Sequence, residues 1–221
     1  MIDKTFASLE HAVADIHDGA TVMIGGFGNA GMPSALIDAL IAQGARGLTI
    51  VNNNAGNGET GLAALIKARR VRKIICSFPR QADSHHFDAL YRAGEIELEL
   101  TPQGNLAERI RAAGAGIGGF FSPTGYGTLL AEGKETRLID GRHYVLESPI
   151  HADFALIKAL QGDRWGNLVY RKTARNFGPI MAMAAKTTIA QVRQVVALGE
   201  LDPETIITPG IFVQRVVKEA A

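Results

Sequence analysis

Glycines are concentrated in one short stretch of the chain, residues 25–33, which reads Gly-Gly-Phe-Gly-Asn-Ala-Gly-Met-Pro. The stretch follows an apolar tetrapeptide, residues 21–24, which is typical of a buried strand, and Pro33 suits the first turn of a helix. Backbone N–H groups at such a junction favour anions, and glycines let a ligand approach the backbone closely. Four glycines within residues 25–31 exceed what a tight turn requires, so the stretch predicts a ligand-binding loop.

One interpretation of this stretch is a dinucleotide site. Gly26, Gly28 and Gly31 have the G-x-G-x-x-G spacing of the Rossmann fingerprint, between a predicted strand and a predicted helix. That fingerprint also needs an acidic residue about 20 positions later, which binds the ribose hydroxyls. The next predicted strand ends in three asparagines, residues 52–54, and this counts against an NAD-binding oxidoreductase.

A second interpretation is a loop that binds coenzyme A. Residues 18–33, with Asp18-Gly19 before the strand and Pro33 at the end, resemble the signature of the alpha subunits of family I coenzyme A transferases. The resemblance extends over essentially the whole chain. Its further blocks are residues 53–56, 100–111, 122–129 and 171–177.

The resemblance implies a reaction in which coenzyme A moves between two carboxylic acids. In this family a glutamate attacks the acyl-CoA, giving an acyl-glutamyl anhydride and then a glutamyl-CoA thioester. The glutamate lies in a Glu-Asn-Gly motif of the beta subunit, and this chain contains no Glu-Asn-Gly. Residues 57–59 hold the same residue types in another order, and we expect Glu59 to open a helix. The chain should therefore be inactive without a beta subunit, its expected partner.

The resemblance also assigns candidate site residues. Gln103, in the sequence Thr-Pro-Gln-Gly, would donate its side-chain amide to the oxyanion of each tetrahedral intermediate. From its residue type alone, Gln103 would be interpreted as a polar turn residue after Pro102. Coenzyme A is expected as a thioester substrate and not as a permanently bound cofactor. The residues expected to contact coenzyme A or its acyl group are Gly25, Gly26, Phe27, Gly28, Asn29, Ala30 and Gly31.

Asn53, Asn54 and Arg80 are candidate substrate-binding residues. The asparagines follow a strand that should neighbour the one before the glycine-rich stretch, so they could line the same cleft or form Asx turns. Arg80 could bind the distal carboxylate that succinate and 3-oxoadipate share, although a solvated arginine or a salt bridge is the simpler explanation.

Three segments resemble the branch of the family that moves coenzyme A from succinyl-CoA to 3-oxoadipate in aromatic-compound degradation: residues 57–58, 77–81 and 202–213. The acetoacetate branch is the near alternative. A sugar-phosphate-sensing domain on a related α/β fold is a third possibility. It is disfavoured because we find no DNA-binding segment attached to the chain.

No metal site is expected. His85 and His86 are adjacent and should not share a helix face. Cys76 is the only cysteine, which excludes an intrachain disulfide and paired-thiolate sites. It lies in an apolar strand, where a buried inert thiol is the default.

The elements that position these residues follow from hydrophobic periodicity. Through residue 113, short apolar runs alternate with helical patterns, which is typical of a mostly parallel sheet. The later segments 136–139 and 142–146 flank Asp140-Gly141, a strong hairpin signal. We expect one domain over residues 1–221, with an open, mixed, mostly parallel sheet flanked by helices. The predicted strands are 21–24, 48–51, 73–78, 96–100, 154–157 and 167–170, and the predicted helices are 9–16, 33–41, 62–69, 83–92 and 106–113.

Composition and net charge limit the classes of partner that the chain is expected to bind. The 221 residues are 47% hydrophobic and carry a net charge of +1 without a run of like charge, so nucleic acid is not expected to bind. No uncharged apolar run approaches the ~20 residues that cross a bilayer, and the first residues do not resemble a signal peptide. A cytoplasmic subunit of a hetero-oligomeric enzyme, acting on small carboxylic acids and away from membranes, is the resulting expectation.

Overall fold

The computed structural model describes residues 2–219 and confirms an α/β architecture with a mostly parallel sheet flanked by helices. The helices are α1 Leu9–Val13, α2 Ser34–Gln43, α3 Leu62–Lys67, α4 His85–Arg92, α5 Gln103–Gly114 and α6 Gly178–Ala184. The strands are β1 Thr5–Phe6, β2 Thr21–Ile24, β3 Leu48–Val51, β4 Val71–Cys76, β5 Glu97–Leu100, β6 Phe120–Ser122, β7 Thr136–Ile139, β8 Arg142–Glu147, β9 Ala152–Asp163, β10 Leu168–Val169, β11 Ala185–Val196 and β12 Arg215–Lys218.

The main sheet combines both halves of the chain. Its order is β1-β12-β11-β9-β2-β3-β4-β5, and every pair of neighbours along this path is parallel. The short β10 pairs antiparallel with β9 outside the path. Because β9 pairs with β2, with Met23 opposite Ala155, the second half of the chain completes the sheet that the first half begins.

The Asp140-Gly141 hairpin forms as predicted but lies outside the main sheet. Asp140 and Gly141 have φ angles of 47° and 77°, which fit a two-residue turn between β7 and β8. With β6 these strands make a separate three-stranded antiparallel sheet. All residues of β7 are exposed, so this strand could not occupy the interior of the main sheet.

Two hydrophobic clusters cover the two faces of the main sheet. Along β2, Val22 and Ile24 point into one cluster and Met23 into the other, as strand geometry requires. The first cluster packs against α1 to α4, and the second packs against α5 and α6. Burial on both faces explains why the central strands are continuous apolar runs.

Several predicted boundaries shift. The helix predicted from residue 106 begins at Gln103, and the helix that Glu59 was expected to open begins only at Leu62. The strand predicted over 73–78 runs from Val71 to Cys76. Within residues 2–219, no helix combines the length and the apolar character that a membrane span requires.

Candidate functional site

The candidate site lies where four neighbouring parallel strands end. The glycine loop (residues 25–33) follows β2, the asparagine loop (residues 52–61) follows β3, and residues 77–84 follow β4. After β5, Thr101 and Pro102 lead directly into α5. Because the carboxyl ends of parallel neighbours meet at one edge of a sheet, these four connections form one surface.

Gln103 and Asn53 are joined by a direct hydrogen bond. The Gln103 Nε2 donates to Asn53 Oδ1 at 2.8 Å, and the Ser77 hydroxyl donates to the same oxygen at 2.8 Å. Asn53 is buried at 3% exposure, whereas Gln103 is exposed as the first residue of α5. Gln103 is therefore not a turn residue. A side-chain amide carries two N–H donors, so one remains for a ligand oxygen.

The glycine loop is held by a residue from the far half of the chain. Asn176 accepts a hydrogen bond from the Gly26 N–H at 3.1 Å and donates to the Ala30 carbonyl at 2.9 Å. At Gly31, with φ of 76°, a Cβ would lie 2.3 Å from the Ala174 carbonyl oxygen, so only glycine allows this approach. No role was predicted for Asn176 from the sequence. Its only signal was the resemblance of residues 171–177 to a family block.

Phe27 separates two adjoining cavities. One, of about 270 Å³, is lined by Phe27, Gln103, Asn176 and the apolar side chains of Phe177 and Ile180. The other, of about 790 Å³, is lined by Phe27 and Asn176 together with residues that include Lys172 and Arg175. Phe27 is 51% exposed, so its ring is available to a ligand in either cavity.

Asn52 and Asn54 of the asparagine loop form Asx turns. The Asn54 N–H donates to Asn52 Oδ1 at 2.9 Å, and the Gly56 N–H donates to Asn54 Oδ1 at 3.1 Å. The buried Asn54 Nδ2 has no hydrogen-bond partner among the described residues. Asn54 lines a cavity of about 20 Å³ together with Gly28 and Asn29 of the glycine loop. This space admits about one water-sized polar group.

Arg80 has an acidic partner. Its Nε donates to Asp88 Oδ1 on α4 at 2.5 Å, and the side chain is otherwise exposed. The structure thus places Arg80 at the same edge of the sheet but pairs it with Asp88, which is the salt-bridge explanation considered from the sequence.

His85 and His86 converge on one carboxylate, which corrects the expectation that neighbours on a helix cannot do so. They are the first two residues of α4, and both Nε2 atoms lie 2.9 Å from Glu59 Oε1, which reaches them from the asparagine loop. Hydrogen bonds from Lys67, and then from the two histidines, lower the pKa of Glu59 to about 2. The three groups have the spacing of metal ligands, but the Lys67 ammonium already binds the carboxylate. The expectation that no metal binds here stays a prediction.

Cys76 is buried at the end of β4, as expected. Burial raises the pKa of its thiol to about 12, so the thiolate that would act as a nucleophile is not formed near neutral pH. Within the described residues, the site therefore offers an amide donor, an apolar wall and a glycine-rich backbone, and its only cysteine is inert.

Comparisons of the sequence with known proteins agree on one family, and a solved structure shares the fold. The sequence model of the family described as "Coenzyme A transferase" matches residues 6–219. The chain is 78% identical over 217 residues to the A-subunit of 3-oxoadipate CoA-transferase from Pseudomonas putida, covering 98% of this chain and 94% of that protein. It is 51% identical over 218 residues to the A-subunit of succinyl-CoA:3-ketoacid coenzyme A transferase from Xanthomonas campestris pv. campestris (strain B100), covering 98% and 89%. An acyl-CoA transferase from E. coli O157:H7, solved as a thioester complex with CoA, superposes with a TM-score of 0.84 at 24% identity, over 98% of this chain and 47% of that one.

Proposed function

Because the chain belongs to the coenzyme A transferase family, we propose that it is the alpha subunit of a 3-oxoadipate:succinyl-CoA transferase, active only with a beta subunit. The 78% identical relative bears the name 3-oxoadipate CoA-transferase and is itself named as one subunit of that enzyme. In this proposal coenzyme A enters as the thioester substrate, no cofactor stays bound, and the enzyme works in the cytoplasm.

The observation that carries the proposal is the Gln103 amide beside the cavity walled by Phe27. In the proposed reaction, the thioester carbonyl is attacked by a glutamate of the beta subunit, and the carbonyl oxygen becomes an oxyanion. The free Nε2 hydrogen of Gln103 would donate to that oxygen, while the bond to Asn53 holds the amide in place. Collapse of the intermediate expels the CoA thiolate and leaves an acyl-glutamyl anhydride.

The steps that follow use the same donor, the Gln103 amide. The thiolate attacks the glutamyl carbonyl of the anhydride, which releases succinate and forms the glutamyl-CoA thioester. The 3-oxoadipate carboxylate then runs the sequence in reverse and leaves as its CoA thioester. A neutral amide suits this role because a cationic donor would pair with the nucleophilic glutamate and weaken it.

The other candidate residues surround this point. We propose that residues 25–31 contact coenzyme A or the acyl chain and that Asn54 lends its unpaired Nδ2 to the same region. Arg80 would bind the distal carboxylate of the dicarboxylic acids only after exchanging its bond with Asp88 for the substrate. If Arg80→Ala leaves the preference for dicarboxylic over monocarboxylic acceptors intact, this role for Arg80 is wrong.

Replacement of Gln103 tests the central part of the proposal. In the reconstituted two-chain enzyme, Gln103→Ala should lower kcat by roughly 100- to 1000-fold, the usual effect of losing one oxyanion donor. Glu108→Ala is the matched control on the same helix, since Glu108 is exposed and, among residues 2–219, forms an ion pair only with Arg111. Size-exclusion chromatography should show both variants assembled. Undiminished turnover by assembled Gln103→Ala would exclude the oxyanion role.

Acetoacetate is the alternative acceptor, and relatives named for 3-ketoacids support it at lower identity, 51% against 78%. Steady-state assays with succinyl-CoA decide between the two acids. We expect a higher kcat/KM for 3-oxoadipate than for acetoacetate, and the reverse order would assign the chain to the acetoacetate enzymes.

A further inference from the structure

Three basic residues beside the glycine loop have no acidic partner in the described part of the chain. Arg171, Lys172 and Arg175, here called the basic segment, are exposed and lie within five positions of the chain. Nearby, Lys158 is neutralised by Glu219, but within residues 2–219 no ion pair involves the basic segment. Unpaired cations grouped at one place favour an anionic ligand.

Contacts with the glycine loop fix the position of the basic segment. Asn176, directly after it, bonds to both Gly26 and Ala30, and the Ala174 carbonyl packs against Gly31. Lys172 has a φ of 51°, a conformation that side-chain-bearing residues rarely adopt. Backbone strain of this kind is concentrated at ligand-binding sites in proteins.

Cavities lined by the basic segment provide space for an anionic ligand. Lys172 and Arg175 line the 790 Å³ cavity, which shares Phe27 and Asn176 with the cavity that contains Gln103. Arg171 lines a second cavity, of about 250 Å³, with Arg193 and the Lys158–Glu219 ion pair. Unpaired positive charge therefore adjoins the proposed acyl site in the 790 Å³ cavity, through Lys172 and Arg175.

We propose that the basic segment binds the phosphate groups of coenzyme A while the thioester lies against Gln103. This inference rests on the proposed function. Arginine and lysine are the side chains that bind phosphate, and arginine does so bidentately. The distal carboxylate of a dicarboxylic acid needs one cation, whereas three unpaired cations on an open surface match a ligand with several phosphates.

Calorimetry on the reconstituted two-chain enzyme tests the proposal with coenzyme A itself, which carries no acyl carboxylate. The double variant Lys172→Ala/Arg175→Ala should weaken the Kd for coenzyme A by about ten-fold or more, as loss of charge-assisted hydrogen bonds does. KM for succinyl-CoA should rise with kcat nearly constant, and the dependence of binding on salt should flatten. Pantetheine, which lacks the phosphates, should inhibit both enzymes equally.

The matched control removes two other exposed charges. Arg92→Ala/Lys186→Ala causes the same change in net charge at two residues that line none of the cavities named above, and it should leave the Kd for coenzyme A unchanged. An unchanged Kd in the Lys172/Arg175 variant would overturn the proposal. Weaker inhibition by succinate with unaltered coenzyme A binding would identify a carboxylate site instead, and loss of the complex on size exclusion would identify a subunit interface. Absence of succinyl-CoA turnover by the unsubstituted enzyme would instead contradict the proposed function.

Discussion

Asn53 is the residue on which the orientation of Gln103 depends. Its Oδ1 receives hydrogen bonds from both Gln103 and Ser77, so the amide of Gln103 is anchored to a buried group. We expect Asn53→Ala to lower kcat by about ten-fold, because catalytic donors lose effect when their position is not fixed. In the Gln103→Ala background, Asn53→Ala should add little, since the group it positions is gone.

A double-mutant cycle on kcat separates positioning from a general structural effect. Near-complete loss of the Asn53→Ala effect in the double variant supports positioning. Fully additive effects of the two substitutions would mean that Asn53 acts independently of Gln103.

Cys76 provides a prediction about reactivity. Because burial raises the pKa of its thiol from 9.0 to about 12, iodoacetamide at pH 8 should leave it unmodified in the native protein and alkylate it in denaturant. The unfolded thiol ionises first as pH rises, so Cys76 should lower the free energy of unfolding progressively between pH 9.0 and about 12. Mass spectrometry of the labelled chain checks the first point, and rapid native labelling would contradict it.

At this scale the sequence predicted part of the site. Asn53 was expected to lie near the glycine loop because both follow strands of a predicted parallel sheet, but its hydrogen bond with Gln103 was not predicted. The contribution of Asn176 was not, because it depends on how a segment 150 residues from Gly26 packs against the glycine loop. Periodicity carries no information about such a long-range contact.

Among the elements, the small antiparallel sheet is tied to α5 by one buried carboxylate. Glu147, whose side chain is 3% exposed, accepts hydrogen bonds from Asn105 and Lys134 and lies 3.8 Å from the Arg109 guanidinium. Glu147→Ala should lower the free energy of unfolding by about 1–3 kcal/mol, because it leaves the buried Asn105 amide without its acceptor. Urea unfolding measures this change. Glu135→Ala is the control, since the exposed Glu135–Arg137 pair should be worth less than about 1 kcal/mol. Equal losses in the two variants would contradict the account.

The glycine loop allows a second comparison at the scale of elements. Gly28 and Gly31 both have positive φ, but only at Gly31 would a Cβ meet another backbone. Both alanine variants should lose about 1 kcal/mol for the conformation, and Gly31→Ala about 1–3 kcal/mol more for the clash. Thermal unfolding of the two variants tests this. Equal melting temperatures would show that residues 171–176 shift to accommodate the added Cβ without a loss of stability.

The element-scale differences have physical causes. The Asp140-Gly141 turn was predictable from its residues, but a hairpin signal does not reveal which sheet its strands join. The first turn of α5 was missed because Gln103, Gly104 and Asn105 are polar or poor helix formers. Strand β9 was predicted at only four residues because polar side chains such as Lys158 and Gln161 interrupt its apolar run.

For the whole molecule, the proposed function makes the site one half of a catalytic centre that a beta subunit completes. Gln103 is exposed at the edge of the sheet, and two aromatic side chains from neighbouring loops there, Phe27 and Phe78, are 51% and 57% exposed. Such a surface suits coverage by a second subunit. The chain contains no Glu-Asn-Gly sequence, and in the proposed reaction the nucleophilic glutamate belongs to the beta subunit.

The most direct measurement is the mass of each chain after the two-chain enzyme has reacted with succinyl-CoA and been quenched. We predict that coenzyme A becomes covalently attached to the beta subunit, that this chain keeps its unmodified mass, and that this chain alone neither turns over nor acquires an adduct. A coenzyme A or succinyl adduct on this chain, or transferase activity without the partner, would contradict the account.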